Sequence, residues 1–172
     1  MAEKIMADKI THSDNSFRST FLARNVWSGF LFGLGVVAFL DETVFHQILH
    51  WHHFYDKSTV NIGLVSDGLF HAFSWFATIG GLFLLADLRR RKGFWSKRWI
   101  GGMFLGGGGF QLYDGTIQHK LMRIHQIRYV DNVLMYDITW NIIATVMVIM
   151  GIILIIRTQK ELKQIKVATN AQ

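Results

Sequence analysis

The chain has 172 residues, of which 51% are hydrophobic and only 17% charged, and it contains neither cysteine nor proline. That balance excludes disulfide and thiolate-metal chemistry, and it points to membrane helices rather than to a soluble domain. The net charge of +6 does not signal nucleic acid, because the basic residues stand in blocks beside the apolar runs, as membrane orientation requires.

Residues 1–20 have mixed charge and no apolar period, so they read as a mobile cytoplasmic segment without a site, His12 included. They lack the apolar core of a cleavable signal peptide, which leaves the first helix as its own insertion signal. That helix runs from about Phe21 to Trp51, and its apolar part, Asn25 to Leu40, turns abruptly into acid, histidine and aromatic at FLDETVFHQILHWHH. The later apolar runs are Gly68 to Ala86, Trp99 to Tyr113 and Ile138 to Ile156. A spanning helix needs about 20 residues, so helices one and three must include their polar ends. Asp41, Glu42 and Asp114 then lie inside the membrane boundary, an expensive place for charge. A soluble bundle would need polar outer faces, and Ile142 to Ile156 offers none apart from Thr145 and Gly151. The expected architecture is all-α: four transmembrane helices in a bundle over residues 21–158, with a cytoplasmic tail at 159–172.

Positive loops mark the cytoplasm. Arg18 and Arg24 precede helix one, Arg89 to Lys92 with Lys97 and Arg98 fill the second loop, and Arg157, Lys160, Lys163 and Lys166 follow helix four. Both termini are therefore expected inside. The first loop carries only Lys57, while the third, with Lys120, Arg123 and Arg128, is placed outside by strict alternation of four spans.

The chain also repeats itself. A shift of 73 positions carries Asp41 onto Asp114, Thr43 onto Thr116, His46 onto His119, and Gly29, Gly33 and Gly35 onto Gly102, Gly106 and Gly108. A shift of 70 carries Asp67 onto Asp137, Gly81 onto Gly151 and His71 onto Asn141. Fixed-period self-similarity of this kind signals two tandem helical hairpins, about 21–88 and 97–158. The glycines sit at spacings that let helix backbones approach closely. The halves differ where Glu42 becomes Gly115, His50 becomes Arg123 and Ser74 becomes Ala144.

With this topology every costly group falls in the outer half of the bundle: Asp41, Glu42, His46 and His50 end helix one, Asp67 and His71 begin helix two, Gln111, Asp114, Gln118 and His119 end helix three, and Asp137 and Asn141 begin helix four. At about 100° per residue Glu42, His46, His50 and His53 share a stripe about 80° wide, whereas Asp41 lies about 140° from His46, too far to share an ion in a straight helix. Carboxylates and imidazoles projecting inward from a helical bundle form the ligand set of non-thiolate sites for iron, zinc or copper. The expected ligands are His46, His50, His71 and His119 with Asp67 and Glu42. Asp41, Asp114, Asp137, Asn141, Gln118 and Ser74 stand behind them as orienting groups. Two other readings compete. His46 and His119, related by the repeat, could be the axial ligands of a b-type haem, or Asp–His hydrogen bonds could simply glue a non-catalytic scaffold. Trp51, His52, His53, Phe54 and Tyr55 read as an interfacial belt, with His52 or His53 at an entrance.

The stretches FLDETVFHQILHWHHFYD, VSDGLFHAF, LYDGTIQHKLMRIHQIR and YDITWN resemble the bacterial predicted membrane protein family catalogued as domain of unknown function 2243, over Val26 to Ile156. The resemblance implies four spans in the bacterial inner membrane and brings no established activity. It also implies proximity to terminal-oxidase assembly proteins, hence copper or an oxidase-assembly partner, against which the lack of cysteine stands. A metal-dependent oxidoreductase or hydrolase, a metal-handling protein and a structural subunit remain open, as does a homodimer. The only partner the residues themselves imply is the lipid bilayer.

Overall fold

The structure, a computed structural model, describes residues 2–170, and side chains outside 1–19, 21, 162, 163 and 165–172. His12 lies outside the described side chains. Four helices make up the chain, with no strand among the described residues. Helix α1 (Ala2–Asp41) passes into a π-helical segment, Glu42–Ile48; α2 is Val60–Arg90; α3 (Ser96–Leu112) passes into a π-helical segment, Tyr113–Met122; α4 is Leu134–Asn170. Thr59 caps α2, its hydroxyl accepting from the Ile62 N–H, and Arg89 and Arg90 complement the dipole in its last turn.

Three stretches are long and apolar enough to cross a bilayer: Leu22–Ile48, Val60–Arg90 and Leu134–Glu161. The third helix is not among them, and its position explains why. α1 packs on α2 and α3, and α3 packs on α1 and α4, giving the order α2–α1–α3–α4. α3 is therefore central and meets its neighbours through buried Gly101, Gly102, Gly106, Gly107 and Gly108, and glycine contributes little to hydropathy. α2 and α4 do not pack on each other among the described residues, so the expected bundle is a row with two flanking helices. The molecule is polar inside and apolar outside. Phe76, Phe83 and Leu69 are 70–75% exposed, whereas Asp41, Glu42, His46, Asp67, Asp114 and His119 are at most 5% exposed. Only a lipid environment makes that arrangement economical.

The α1–α3 seam has pseudo-twofold reciprocity. A Cβ on Gly33 would collide with the Met103 carbonyl and one on Gly106 with that of Phe30, while Gly29 faces Trp99 and Gly102 faces Val26. Each of these pairs is the other's image under the shift of 73. The outer seams match too, since Gly35 lies against Ser74 and Thr78 of α2, and Gly108 against Ala144 and Val148 of α4.

Helix one ends earlier than Trp51. The Leu49 N–H bonds to the Val44 carbonyl at 2.9 Å, a five-residue step that defines π geometry, and His50 adopts φ 49°, the left-handed conformation that terminates helices. Arg123, the counterpart of His50, does the same at φ 52°. The two following loops, 49–59 and 123–133, then fold over the same end of the molecule and are tied together by Asp56 N–H to Ile124 O at 3.0 Å and Lys57 Nζ to Met122 O at 3.0 Å.

Candidate metal centre

The π-helical turns decide which side chains face inward. A straight α-helix separates residues five apart, but the wider π turn brings them together. Asp114 Oδ2 lies 3.1 Å from His119 Nε2, five residues on, and the Gln47 amide reaches Glu42 Oε1 at 2.8 Å across the same interval. The separation expected of Asp41 and His46 held for a straight helix; in the π-helical turn the equivalent pair, Asp114 and His119, meets.

Glu42, His46 and Asp67 converge from the end of α1 and the start of α2. Glu42 Oε2 is 2.7 Å and Asp67 Oδ1 3.3 Å from His46 Nδ1. Asp67 is further held by the Phe54 N–H at 2.7 Å and by His53 Nδ1 at 2.6 Å. Asp114 contacts His119 and, at 3.3 Å, His125 Nε2. His52 and His125 come from the two loops and stack face to face, ring centres 4.6 Å apart and planes 5° apart. His46 packs on His52 at 4.4 Å and His119 on His125 at 4.7 Å. Four imidazoles thus form one chain of contacts, His46–His52–His125–His119, with all four rings buried. His125 Nδ1 is fixed by the Phe54 carbonyl at 2.8 Å. Burial first, and then the neighbouring His46, His125 and His119 rings, push the His52 imidazole down to about 2, so His52 stands neutral, the form that ligates metals.

Two groups meet the spacing a metal ion needs: Glu42, His46 and Asp67, and His52, His119 and His125, with donor atoms in each group within 4.8 Å of one another. Seven buried donor atoms in these groups have no hydrogen-bond partner, namely Glu42 Oε2, His46 Nδ1 and Nε2, His52 Nδ1, His119 Nδ1 and Nε2, and His125 Nε2. Four of them still lie at ion-pair distance from a partner, Glu42 Oε2 with His46 Nδ1, and His119 Nε2 and His125 Nε2 with Asp114; His46 Nε2, His52 Nδ1 and His119 Nδ1 have none, whereas buried polar groups are ordinarily satisfied.

The remaining sequence-predicted residues divide. Asp41 is buried beside Asp114 and Glu42. His50 is exposed, turned away by its left-handed backbone. His71 lies outside the cluster, accepting from the Trp75 indole at 3.1 Å and packing on Phe39. Ser74 bonds the His71 carbonyl, and Asn141 bonds the Asp137 carbonyl within α4. Asp137 is ion-paired with Lys120 at 2.5 Å. Gln118 is buried at the edge of an apolar groove. His52 and His125 are the ligand candidates that the sequence reading passed over. The signal was present, since the 73-residue shift carries His52 onto His125 and Phe54 onto Ile127, but a loop of aromatics resembles a surface belt.

Two apolar grooves flank the cluster, of 640 and 430 Å³. The larger lies between α1, α2 and α3 and is lined by Leu69, Phe70, Phe73 and Phe110; the smaller, between α1, α3 and α4, has Thr139, Trp140 and Ile143 at the equivalent positions. Phe70 also packs against His46, ring centres 5.8 Å apart.

Apolar helices of spanning length around a buried imidazole–carboxylate cluster define a polytopic membrane protein with an ionisable interior site. The chain belongs to the family described as predicted membrane protein, DUF2243, whose model matches residues 28–158. No curated protein and no solved structure matches it.

Proposed function

We propose that this chain is an integral metalloprotein of the bacterial inner membrane, with four spans, both termini cytoplasmic, and a His/Asp/Glu site in the outer half. The observation that carries this reading is the set of three buried imidazole nitrogens at the cluster, His46 Nε2, His52 Nδ1 and His119 Nδ1, that have no hydrogen-bond partner. A scaffold glued by hydrogen bonds would satisfy those atoms, whereas a cation uses their lone pairs. Four neutral-capable imidazoles with carboxylates and no thiolate suit iron, zinc or copper. Glu42, His46, Asp67 and His119 keep the ligand roles their sequence positions suggest, His52 and His125 replace His50 and His71, and Asp114 orients two imidazoles. Asp41 is the further buried acid.

The apolar groove reaching Phe70 supports access for a membrane-dissolved substrate from the side, and the loops above the cluster face the outer aqueous phase. With an ion bound, the site would supply Lewis-acid or redox chemistry; this chain's residues would hold the ion and exclude water. A b-type haem on His46 and His119 is the weaker reading, because the stacked His52 and His125 rings pack against both. Elemental analysis and an optical spectrum of the detergent-purified protein test the proposal. At least one equivalent of iron, zinc or copper without a Soret band is expected. Absence of metal after growth in metal-replete medium would refute the metalloprotein reading, and a Soret band would favour haem.

A further inference from the structure

The two donor groups share no residue, and the repeat that built them has been broken in a particular way. Gly115 stands where Glu42 stands in the first half, and the space a side chain would need there is filled by Trp140 and Asn141. Asp137, the counterpart of Asp67, is neutralised by Lys120. The first group thereby draws on Glu42 and Asp67, while the second has His119 and His125 from the second half and takes His52 from the first loop, with Asp114 behind the His119 and His125 rings. A single ion on the pseudo-twofold axis would be served by four equivalent imidazoles and would gain nothing from this asymmetry.

Charge also calls for cations at the cluster. Asp41, Glu42, Asp67 and Asp114 are all buried, and none of them forms an ion pair with lysine or arginine among the described residues. Buried carboxylates are paired or bind cations.

We propose that the cluster is a dinuclear centre with two unlike pockets, a carboxylate-rich one formed by Glu42, His46 and Asp67 and an all-imidazole one formed by His52, His119 and His125. This rests on the metalloprotein reading and deepens it. The pockets adjoin where the His46 ring packs on the His52 ring, ring centres 4.4 Å apart; two ions held there would supply Lewis-acid chemistry to one substrate. The first pocket is the harder donor set, and the second suits zinc or copper as well as iron.

Metal-stripped full-length protein in detergent, titrated with Co2+ under equilibrium dialysis with visible absorption, tests this. Wild type is expected to bind two equivalents per chain with two distinct absorption envelopes. Glu42→Gln with Asp67→Asn, and separately His52→Gln with His125→Gln, should each retain one equivalent and a different remaining spectrum. The single substitutions Glu42→Gln and His125→Gln, less disruptive to folding, should each weaken one of the two equivalents at least tenfold and leave the other. One equivalent in wild type would overturn the dinuclear centre and leave the metalloprotein reading standing. Loss of both equivalents in one pair variant with wild-type circular dichroism would likewise overturn two separate pockets. No binding in wild type would remove both proposals.

Discussion

Individual side chains at this site are selected by backbone rather than by sequence spacing. His46 and His50 are four residues apart, an interval that puts them on one face of an α-helix, yet His46 is buried and His50 is exposed because the helix widens and then stops between them. Residue identities were legible: Glu42, His46, Asp67 and His119 could be singled out as rare charged or titratable letters at the ends of apolar runs. His50 was misplaced by the assumption of a straight helix, His71 by its line with Asp67 on α2, where it meets Trp75 and Phe39 instead of the cluster, and His52 and His125 by the assumption that loops stay outside. Two predictions belong here. His71→Ala removes one indole hydrogen bond and should cost about 1 kcal/mol or less, with metal content unchanged, as read by thermal unfolding and elemental analysis. Asp114→Asn keeps the shape but removes the charge facing His119 and His125, and should weaken metal binding about 10-fold or more without changing the unfolding midpoint of the metal-free protein.

At the level of the helix, the repeat was readable and its geometric consequence was not. Glycines at Gly29, Gly33, Gly102 and Gly106 announced close packing, and the structure makes them the two sides of one seam. The π-helical ends carry no residue signature beyond the polar letters they serve, so angles computed for an α-helix place His46 beside Glu42 but fail at His50. The seam gives a prediction with its own control. Gly33→Leu and Gly106→Leu drive a side chain into a backbone carbonyl, which cannot yield as a flexible side chain would; each should cost about 1–3 kcal/mol and lower the unfolding midpoint. Gly80→Ala faces open space and should leave the midpoint unchanged or raise it slightly. Equal sensitivity at Gly80 and Gly33 would contradict the seam.

For the whole molecule, composition and basic blocks indicated a membrane protein, and the inverted distribution of exposed apolar and buried charged residues agrees with that. The packing order α2–α1–α3–α4 was not legible, because hydropathy ranks helices by lipid exposure and α3 is the least exposed. It is this open row that leaves the two lateral grooves beside the cluster. The proposed orientation predicts that reporter domains fused after residue 172 or inserted near Arg91 report a cytoplasmic location, and that a reporter near Lys57 reports the outer side. A cytoplasmic Lys57 would invert the site's access.

Metal content of two isosteric double variants, purified in parallel with wild type, separates the histidines of the cluster from those outside it. His46→Gln with His119→Gln removes an imidazole from each pocket, whereas His50→Gln with His71→Gln removes the two histidines that the fold holds away from the cluster. The first variant should lose its metal while remaining folded and inserted, and the second should keep the wild-type amount. Retention of metal by the first, or loss from the second alone, would contradict the proposed site.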